Sequence, residues 1–313
     1  MKKFRVVLKI LLFIVALILA WYFGSIAYYK LTNENKPSNI DREDIQAGNL
    51  GENNTINPPV KDEILFLVAG TDRLISEEEK NSRSDTLMLF KVNFSDGSIT
   101  ELSIPRDTRV YVRGEKTKIN HASAYGGLEL TMKTIRDWLD IDLDYYVKVN
   151  FDSVIDLVDQ IGGVRMDVPK AIAKELKITP GVHNLNGAQA LQYVRHRHSY
   201  TTGDIGRVKA QQAFISQIIK QTLTTKNVLR APILLDILYK NVDTNIPKIY
   251  FVTKLGSLAK FSSDKSKTYM IPGDGKYIGD VSYYIYFKDE TIKMRDELFS
   301  KYRLNGVNYL ENW

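Results

Sequence analysis

The chain has no cysteine among its 313 residues, which excludes disulfides, thiol nucleophiles and thiolate metal sites at once. Histidine is scarce as well, with four in all, so little is left from which to build a zinc centre. Charge of one sign is also lacking. Lysine and arginine number 43 against 37 acids, a net charge of +6, and part of that excess sits in the first nine residues as Lys2, Lys3, Arg5 and Lys9. The remainder is only weakly basic, which gives no footing for nucleic acid as a partner. No internal repeat is evident.

What is present begins with one long apolar run. Residues Ile10 to Tyr29 contain no charge, and twenty helical residues at ~1.5 Å each span roughly the ~30 Å of a bilayer's hydrocarbon. Basic residues precede the run, and Trp21, Tyr22, Tyr28 and Tyr29 lie towards its far end. This fits the positive-inside rule and an interfacial aromatic belt. Ser25-Ile26-Ala27 resembles a signal-peptidase site, but the run is longer than the ~7–15 residues of a signal-peptide core, so it reads as a retained anchor. The expected layout is a cytoplasmic N-terminus at 1–9, a transmembrane helix at 10–29, a polar linker at 30–61 and one extracellular folded domain at 62–313. The expected location is the cell membrane, crossed once.

From Glu63 the pattern is that of an α/β domain. EILFLVA, ended by Gly70, is a continuous apolar run of the kind that forms a strand buried on both faces, and Gly70-Thr71-Asp72 sets a carboxylate at its C-terminal end. A second strand, SDTLMLFKVN, turns at Ser95-Asp96-Gly97, and a third, Ile99 to Ile104, runs into Pro105-Arg106-Asp107-Thr108. Asp72, then Arg83 with Asp85, then Arg106 with Asp107 therefore lie at successive strand ends, where open α/β sheets bind ligands. Taken singly, an Arg-x-Asp pair reads as a surface ion pair and Pro-Arg-Asp as a turn. Taken together they suggest a site for phosphate and a metal. Two carboxylates with phosphate oxygens suit Mg²⁺, which keeps few protein ligands.

Further along, Gly127 opens a helical stretch, Tyr145 to Val149 reads as a strand, and Phe151 to Gln160 reads as a helix closed by Gly162-Gly163. Strand VRMDV and helix LNGAQALQYV continue an alternation that predicts an α/β core covered on both faces. Apolar helices follow, notably Val228 to Tyr239, then possible edge strands at Thr268 to Ile271 and Val281 to Phe287, then a last helix, Lys288 to Lys301.

The densest chemistry lies between Tyr193 and Gln212, where Arg195, Arg197, Arg207 and Lys209 face one acid, Asp204. Guanidinium groups match phosphate oxygens two at a time, and a helix start adds free N–H donors. Asp204, Arg207 and Gln211 share one helical face that continues into Phe214, Ile215 and Ile218. The stripe fits either a helix whose first turns enter a polar cavity or one with Asp204 as N-cap and Arg207 and Gln211 in water. If the preceding helix ends near Val194, Arg195 and Arg197 can face one way, while His196 and His198 turn aside.

Gly70-Thr71-Asp72, Arg83-Ser84-Asp85-Thr86, Ser103-Ile104-Pro105-Arg106-Asp107, Lys118-Ile119-Asn120-His121-Ala122, Tyr193-Val194-Arg195-His196-Arg197 and Asp204-Ile205-Gly206-Arg207 through Gln211 together resemble the LytR-CpsA-Psr family of membrane-anchored cell-wall enzymes. The resemblance implies an extracytoplasmic α-β-α domain with a mixed central sheet. It also implies a Mg-dependent phosphotransferase that moves a secondary wall glycopolymer (teichoic acid, capsule or similar) from a polyprenyl pyrophosphate carrier to peptidoglycan. By the same resemblance Asp72 and Asp85 hold Mg²⁺. Arg83, Arg106, Lys118, Arg195, Arg197, Arg207 and Gln211 grip the pyrophosphate, and Asp85, Arg106 and Asp204 are the catalytic candidates. The proton acceptor stays open among Asp85, Asp107 and Asp204. A hydrolase using the same site, or a non-catalytic regulator, would carry similar motifs.

Overall fold

The structure is a computed structural model and describes residues 62–71, 84–196, 210–211, 213–215, 217–218, 221, 231–304 and 310. The apolar run at 10–29 lies outside them, as do Asp72, Arg83, Arg197, Asp204 and Arg207. Among the described residues no helix is long and apolar enough to cross a membrane.

Three strands, β1 (Glu63–Thr71), β2 (Ser84–Asn93) and β3 (Ser98–Ile104), form an antiparallel meander. The tight turn between β2 and β3 is closed by Asn93 and Asp96, whose side-chain oxygens accept from the backbone N–H groups of Ser95 and Ser98 at 2.9 and 2.8 Å. Beside β1 runs β6 (Tyr145–Asn150), parallel to it, and β9 (Asp243–Thr244) pairs antiparallel with β6. On the other edge β10 (Ser266–Met270) lies parallel to β3. The result is a mixed six-stranded sheet in the order β10-β3-β2-β1-β6-β9.

Strand alternation makes the two faces of that sheet legible. Leu65, Leu67 and Ala69 of β1, with Leu87, Leu89, Leu102 and Ile104, pack on one side. They meet Ile135, Trp138 and Leu139 of α1 (Asn120–Leu139) and Leu298 and Phe299 of α7 (Lys288–Phe299). Ile64, Val68, Met88 and Phe90 face the other side, against Ile246, Tyr250, Phe251 and Phe261. Because both parities of β1 and β2 are buried, their runs are apolar throughout.

A third cluster is separate. It joins α2 (Phe151–Gln160), β7 (Val164–Val168), α3 (Lys170–Leu176), β8 (Gly181–Leu185) and α4 (Gly187–Arg195) through Val158, Val164, Met166, Ile172, Leu185, Tyr193 and Val194. The strand read at VRMDV is present as β7, with a partner that the sequence reading did not name. β7 does not extend the central sheet; it pairs with β8 in a two-stranded hairpin. The physical reason was visible in VRMDV: Val164, Met166 and Val168 are buried while Arg165 and Asp167 are exposed, the pattern of a strand with one wet face.

Two further hairpins were not read as such. β4 (Arg109–Val112) pairs with β5 (Glu115–Lys118), and β11 (Gly273–Ile278) pairs with β12 (Val281–Tyr286), so β12 is not an edge of the central sheet. Helix α1 also begins seven residues earlier than Gly127. It starts at Asn120 and kinks at Gly126-Gly127, where Gly127 takes φ 67° and ψ −156°, a conformation open to glycine and hostile to other residues. The remaining helices are α5 (Ala231–Asn241) and α6 (Lys248–Lys254).

Candidate active site

The C-terminal ends of β1, β3, β6 and β10 and the start of β2 share one end of the sheet. The register of β1 with β2 slips at this end. Gly70 pairs with Thr86 and Thr71 with Ser84, so the ladder skips Asp85. Such a bulge bends the strand and is frequent beside active sites. The backbone of Asp85 therefore lies opposite the last residues of β1, the strand that Asp72 follows in the sequence.

Gln211 is buried, 5% exposed, and ties this strand end to a distant part of the chain. Its amide oxygen accepts from the hydroxyl of Thr86 at 2.7 Å, and its amide nitrogen donates to the carbonyl of Val194 at 3.3 Å. The second bond answers a backbone carbonyl in the last turn of α4, where helices leave such groups without an intrahelical partner. Of the two sequence readings, the solvated one is therefore overturned for Gln211. Ala210 and Phe214, on either side of it, are buried in the third cluster.

The position of α4 is set from its first residue. Asn186 caps it, accepting from the N–H of Gln189 at 2.9 Å, while the Gln189 side chain returns a bond to Asn186. A Cβ on Gly187 would lie 2.4 Å from the carbonyl oxygen of Ile155, so only glycine lets α4 approach α2 this closely. Tyr193 and Val194 anchor the far end in the core, and burial, with Asp167 nearby, raises the Tyr193 phenol above its ordinary value. The helix stops at Arg195, which is exposed, and His196 leaves it with φ −57° and ψ 125°. The buried His196 ring pairs with the carboxylate of Glu175.

Next along the same sheet end, the turn after β3 gathers a second group. The N–H of Thr108 closes the turn on the carbonyl of Pro105 at 3.0 Å, and the carbonyls of Arg106 and Thr108 accept from Asn120 and Ile119 at 3.2 and 2.8 Å. Start of α1, end of β5 and this turn are thereby clamped. Lys118 Nζ lies 2.9 Å from one oxygen of Asp107, and Arg106 Nε lies 4.0 Å from the other. The three side chains are each a quarter exposed or less, which leaves them reachable but partly shielded from bulk water. Tyr283 of β12 lies below, its ring centre 5.8 Å from Lys118 Nζ and 5.5 Å from Arg109 Cζ.

Of the residues expected at the site, Gln211 is thus joined to Thr86 and to the end of α4, and Arg106 and Lys118 meet at Asp107. Asp85 is described through its backbone only. Thr86, Arg109 and Tyr283 were not anticipated. Thr86 stood inside a quoted motif, but nothing local reports a hydroxyl bonded to a residue 125 positions away. Among the described residues there is no group of three or more His, Cys, Asp or Glu that could hold a metal.

Residues 24–300 match the model of the LytR_cpsA_psr family. The chain belongs to that family. It is 34% identical over 249 residues to a polyisoprenyl-teichoic acid–peptidoglycan teichoic acid transferase, TagU, of Halalkalibacterium halodurans, covering 78% of this chain and 81% of that one. The crystal structure of Bacillus subtilis TagV is similar over 77% of this chain and 98% of its own, with 29% identity and a TM-score of 0.67. A structure of TagT bound to LI-WTA is similar over 77% and 91% of the two chains, with 28% identity and a TM-score of 0.64. The mixed sheet described above is the family's fold.

Proposed function

We propose that this LytR_cpsA_psr protein transfers a wall glycopolymer from a polyprenyl pyrophosphate carrier to a peptidoglycan hydroxyl, forming a phosphodiester. The teichoic acid transferases among its relatives support the reaction class. The observation that carries the reading is Gln211. Its two hydrogen bonds tie the Arg83–Thr86 motif to the end of the helix that delivers Arg195, at the sheet end where Arg106, Asp107 and Lys118 also gather.

In this reading the acceptor hydroxyl oxygen attacks the glycan-bearing phosphorus, and the bond from that phosphorus to the bridging oxygen breaks. Polyprenyl phosphate leaves with the electron pair, and the hydroxyl proton passes to a carboxylate. Positioning and charge stabilisation do most of the work in such transfers. Arg106 and Lys118 serve the pyrophosphate, joined by Arg83, Arg195, Arg197 and Arg207. Asp107 is engaged by Lys118 and so orients that cation. Asp85 and Asp204 are left as the candidates for the proton.

Mg²⁺ fits the donor set. Asp85 lies at the start of β2, opposite the end of β1, Asp72 follows β1 in the sequence, and the two carboxylates offer oxygen ligands only, the preference of a hard cation. These two would hold the ion, which when bound would offset phosphate charge. The segment at 10–29 would anchor the chain with its N-terminus in the cytoplasm and hold the domain outside, close to its lipid-linked donor.

The test is incubation of the full-length protein, in detergent, with a lipid-linked teichoic acid precursor and peptidoglycan oligomers. A covalent conjugate is expected. Free phosphoglycan instead would make the protein a hydrolase, and unchanged substrates would leave it a binding or regulatory protein.

A further inference from the structure

Hairpin β11–β12 carries none of the motifs named in the sequence analysis, yet its Tyr283 underlies two cations. Arg109 and Lys118 are direct partners in the β4–β5 ladder. Like charges directly opposite on neighbouring strands cost stability. Here both lie over one aromatic ring, Arg109 Cζ at 5.5 Å and Lys118 Nζ at 5.8 Å from its centre. The negative face of the ring offsets their repulsion without neutralising either charge as a second carboxylate would. The Nε of Arg109 is buried without a hydrogen-bond partner, so its guanidinium is not committed to a protein acceptor there.

The strand that carries the ring is fastened at the next residue, Tyr284. Thr108 bridges Tyr284 in parallel register, and the N–H of Tyr284 donates to the carbonyl of Asp107 at 2.9 Å. The buried Tyr284 hydroxyl donates to Ile271 at 2.6 Å. Alternation then sends Tyr283 to the opposite face of the hairpin, the face that Arg109 and Lys118 share on β4–β5, while Val110 and Val112 point into the core.

We propose that Tyr283 is a positioning residue that holds Arg109 and Lys118 side by side as a paired grip for a phosphate of the donor. This rests on the phosphotransferase reading above. It adds Arg109 to the phosphate ligands and gives the C-terminal hairpin a part in the site. Lys118 is already paired with Asp107; a phosphate entering between the two cations adds to the offset that this carboxylate and the ring provide, and the fork of Arg109 matches two of its oxygens.

The experiment measures binding of farnesyl pyrophosphate, a soluble short-chain probe, to the full-length protein by calorimetry, with donor KM and kcat from the transfer assay beside it. Tyr283→Leu is expected to weaken binding about 5- to 10-fold and to raise the donor KM with kcat little changed. Tyr283→Phe, which keeps the ring, is expected to bind within about twofold of the parent. Arg109→Met and Lys118→Met should each weaken binding, and adding Tyr283→Leu to Lys118→Met should cost less than it does alone. If the leucine variant does not fold, replacing Tyr283 with pentafluorophenylalanine keeps the shape and removes the negative ring face, and the same loss is expected. Parental affinity in the leucine or the pentafluorophenylalanine variant, equal losses in Tyr283→Phe and Tyr283→Leu, or fully independent effects of Tyr283 and Lys118 would overturn the proposal. Should Arg106→Ala, Arg109→Met and Lys118→Met all bind the probe as the parent does, the phosphotransferase reading itself falls. Weakening in those three with normal binding in Tyr283→Leu removes only the role of Tyr283.

Discussion

Two ion pairs of the same length sit in different parts of this molecule. Lys118 and Asp107, 2.9 Å apart, lie at the end of the central sheet with about a quarter of each side chain exposed. Arg303 and Asp140, also 2.9 Å apart, lie where an isolated bridge between Ile141 and Arg303 meets the end of α1, and there the carboxylate is 1% exposed. Asp140 takes φ 53° as the cap of α1, and its carbonyl accepts from the N–H of Leu304. This pair, buried on its carboxylate side only, fastens the C-terminal region to α1. Burial raises the Asp140 carboxyl above its ordinary value even though Arg303 and Arg295 act the other way. The open pair is set among neighbouring cations at a strand end. Pair length alone does not separate the two roles; the burial of the carboxylate does.

The sharpest break between them is expected from activity. Arg106→Ala should lower transfer at least about 100-fold, the scale for losing one well-placed charge donor, and Lys118→Met should also be impaired. Both should unfold in denaturant within about 1 kcal/mol of the parent, because partly exposed pairs contribute little to stability. A stability loss that accounts for the lost activity would erase the distinction drawn here.

Arg303→Met should show the reverse. It leaves Asp140 buried without its nearest cation, at a cost of about 3 kcal/mol at neutral pH, while transfer per folded molecule stays unchanged. The sign with pH follows from linkage. A carboxyl whose folded pKa is raised favours the fold most where it is protonated, below about pH 4, and loses that contribution as pH rises through its folded value. The Arg303→Met penalty should therefore shrink in acid. Urea unfolding at acid and neutral pH measures this, and a penalty independent of pH would show that Asp140 is not its source.

Gln211→Leu should fall between the two classes. It removes both bonds of a buried amide and leaves the Thr86 hydroxyl and the Val194 carbonyl to find other partners, at about 1–2 kcal/mol. Transfer should fall as well, since the end of α4 is no longer tied to β2. The smallest expected effect lies in alkali. Burial pushes the phenols of Tyr146 and Tyr284 up to about 12, with the nearby acids Asp243 and Asp274 adding to it. Their contribution is full below pH 10 and is lost as pH climbs towards 12. Tyr146→Phe should flatten part of that decline.

Period and punctuation made much of this fold legible. EILFLVA and SDTLMLFKVN, apolar on both faces, are the middle strands β1 and β2, and Gly162-Gly163 closes α2 as read. VRMDV was read as a strand correctly, but its pairing with β8 was not legible, because a strand's own residues record how many of its faces are wet and do not name its neighbour. β4, β5 and β8 were missed for a related reason. They are four or five residues long, and β5 is partly or fully exposed along its length, too little for a period to show. At the site, the motifs identified Arg106, Lys118 and Gln211 as residues of interest. Tyr283 carried no signal, since its contact with Lys118 spans residues far apart in the chain.

The sequence by itself determined the family, the apolar strands and the residue types from which a phosphate site can be made, because local periodicity and short ordered motifs survive in one dimension. Only the tertiary structure decided that Gln211 is buried between Thr86 and Val194, that Asp107 holds Lys118, and that a hairpin from the C-terminal region lies beneath two cations. Burial and long-range contact are properties of the packed chain. Desolvation, hydrogen-bond satisfaction and charge pairing act through distances that the order of residues does not contain.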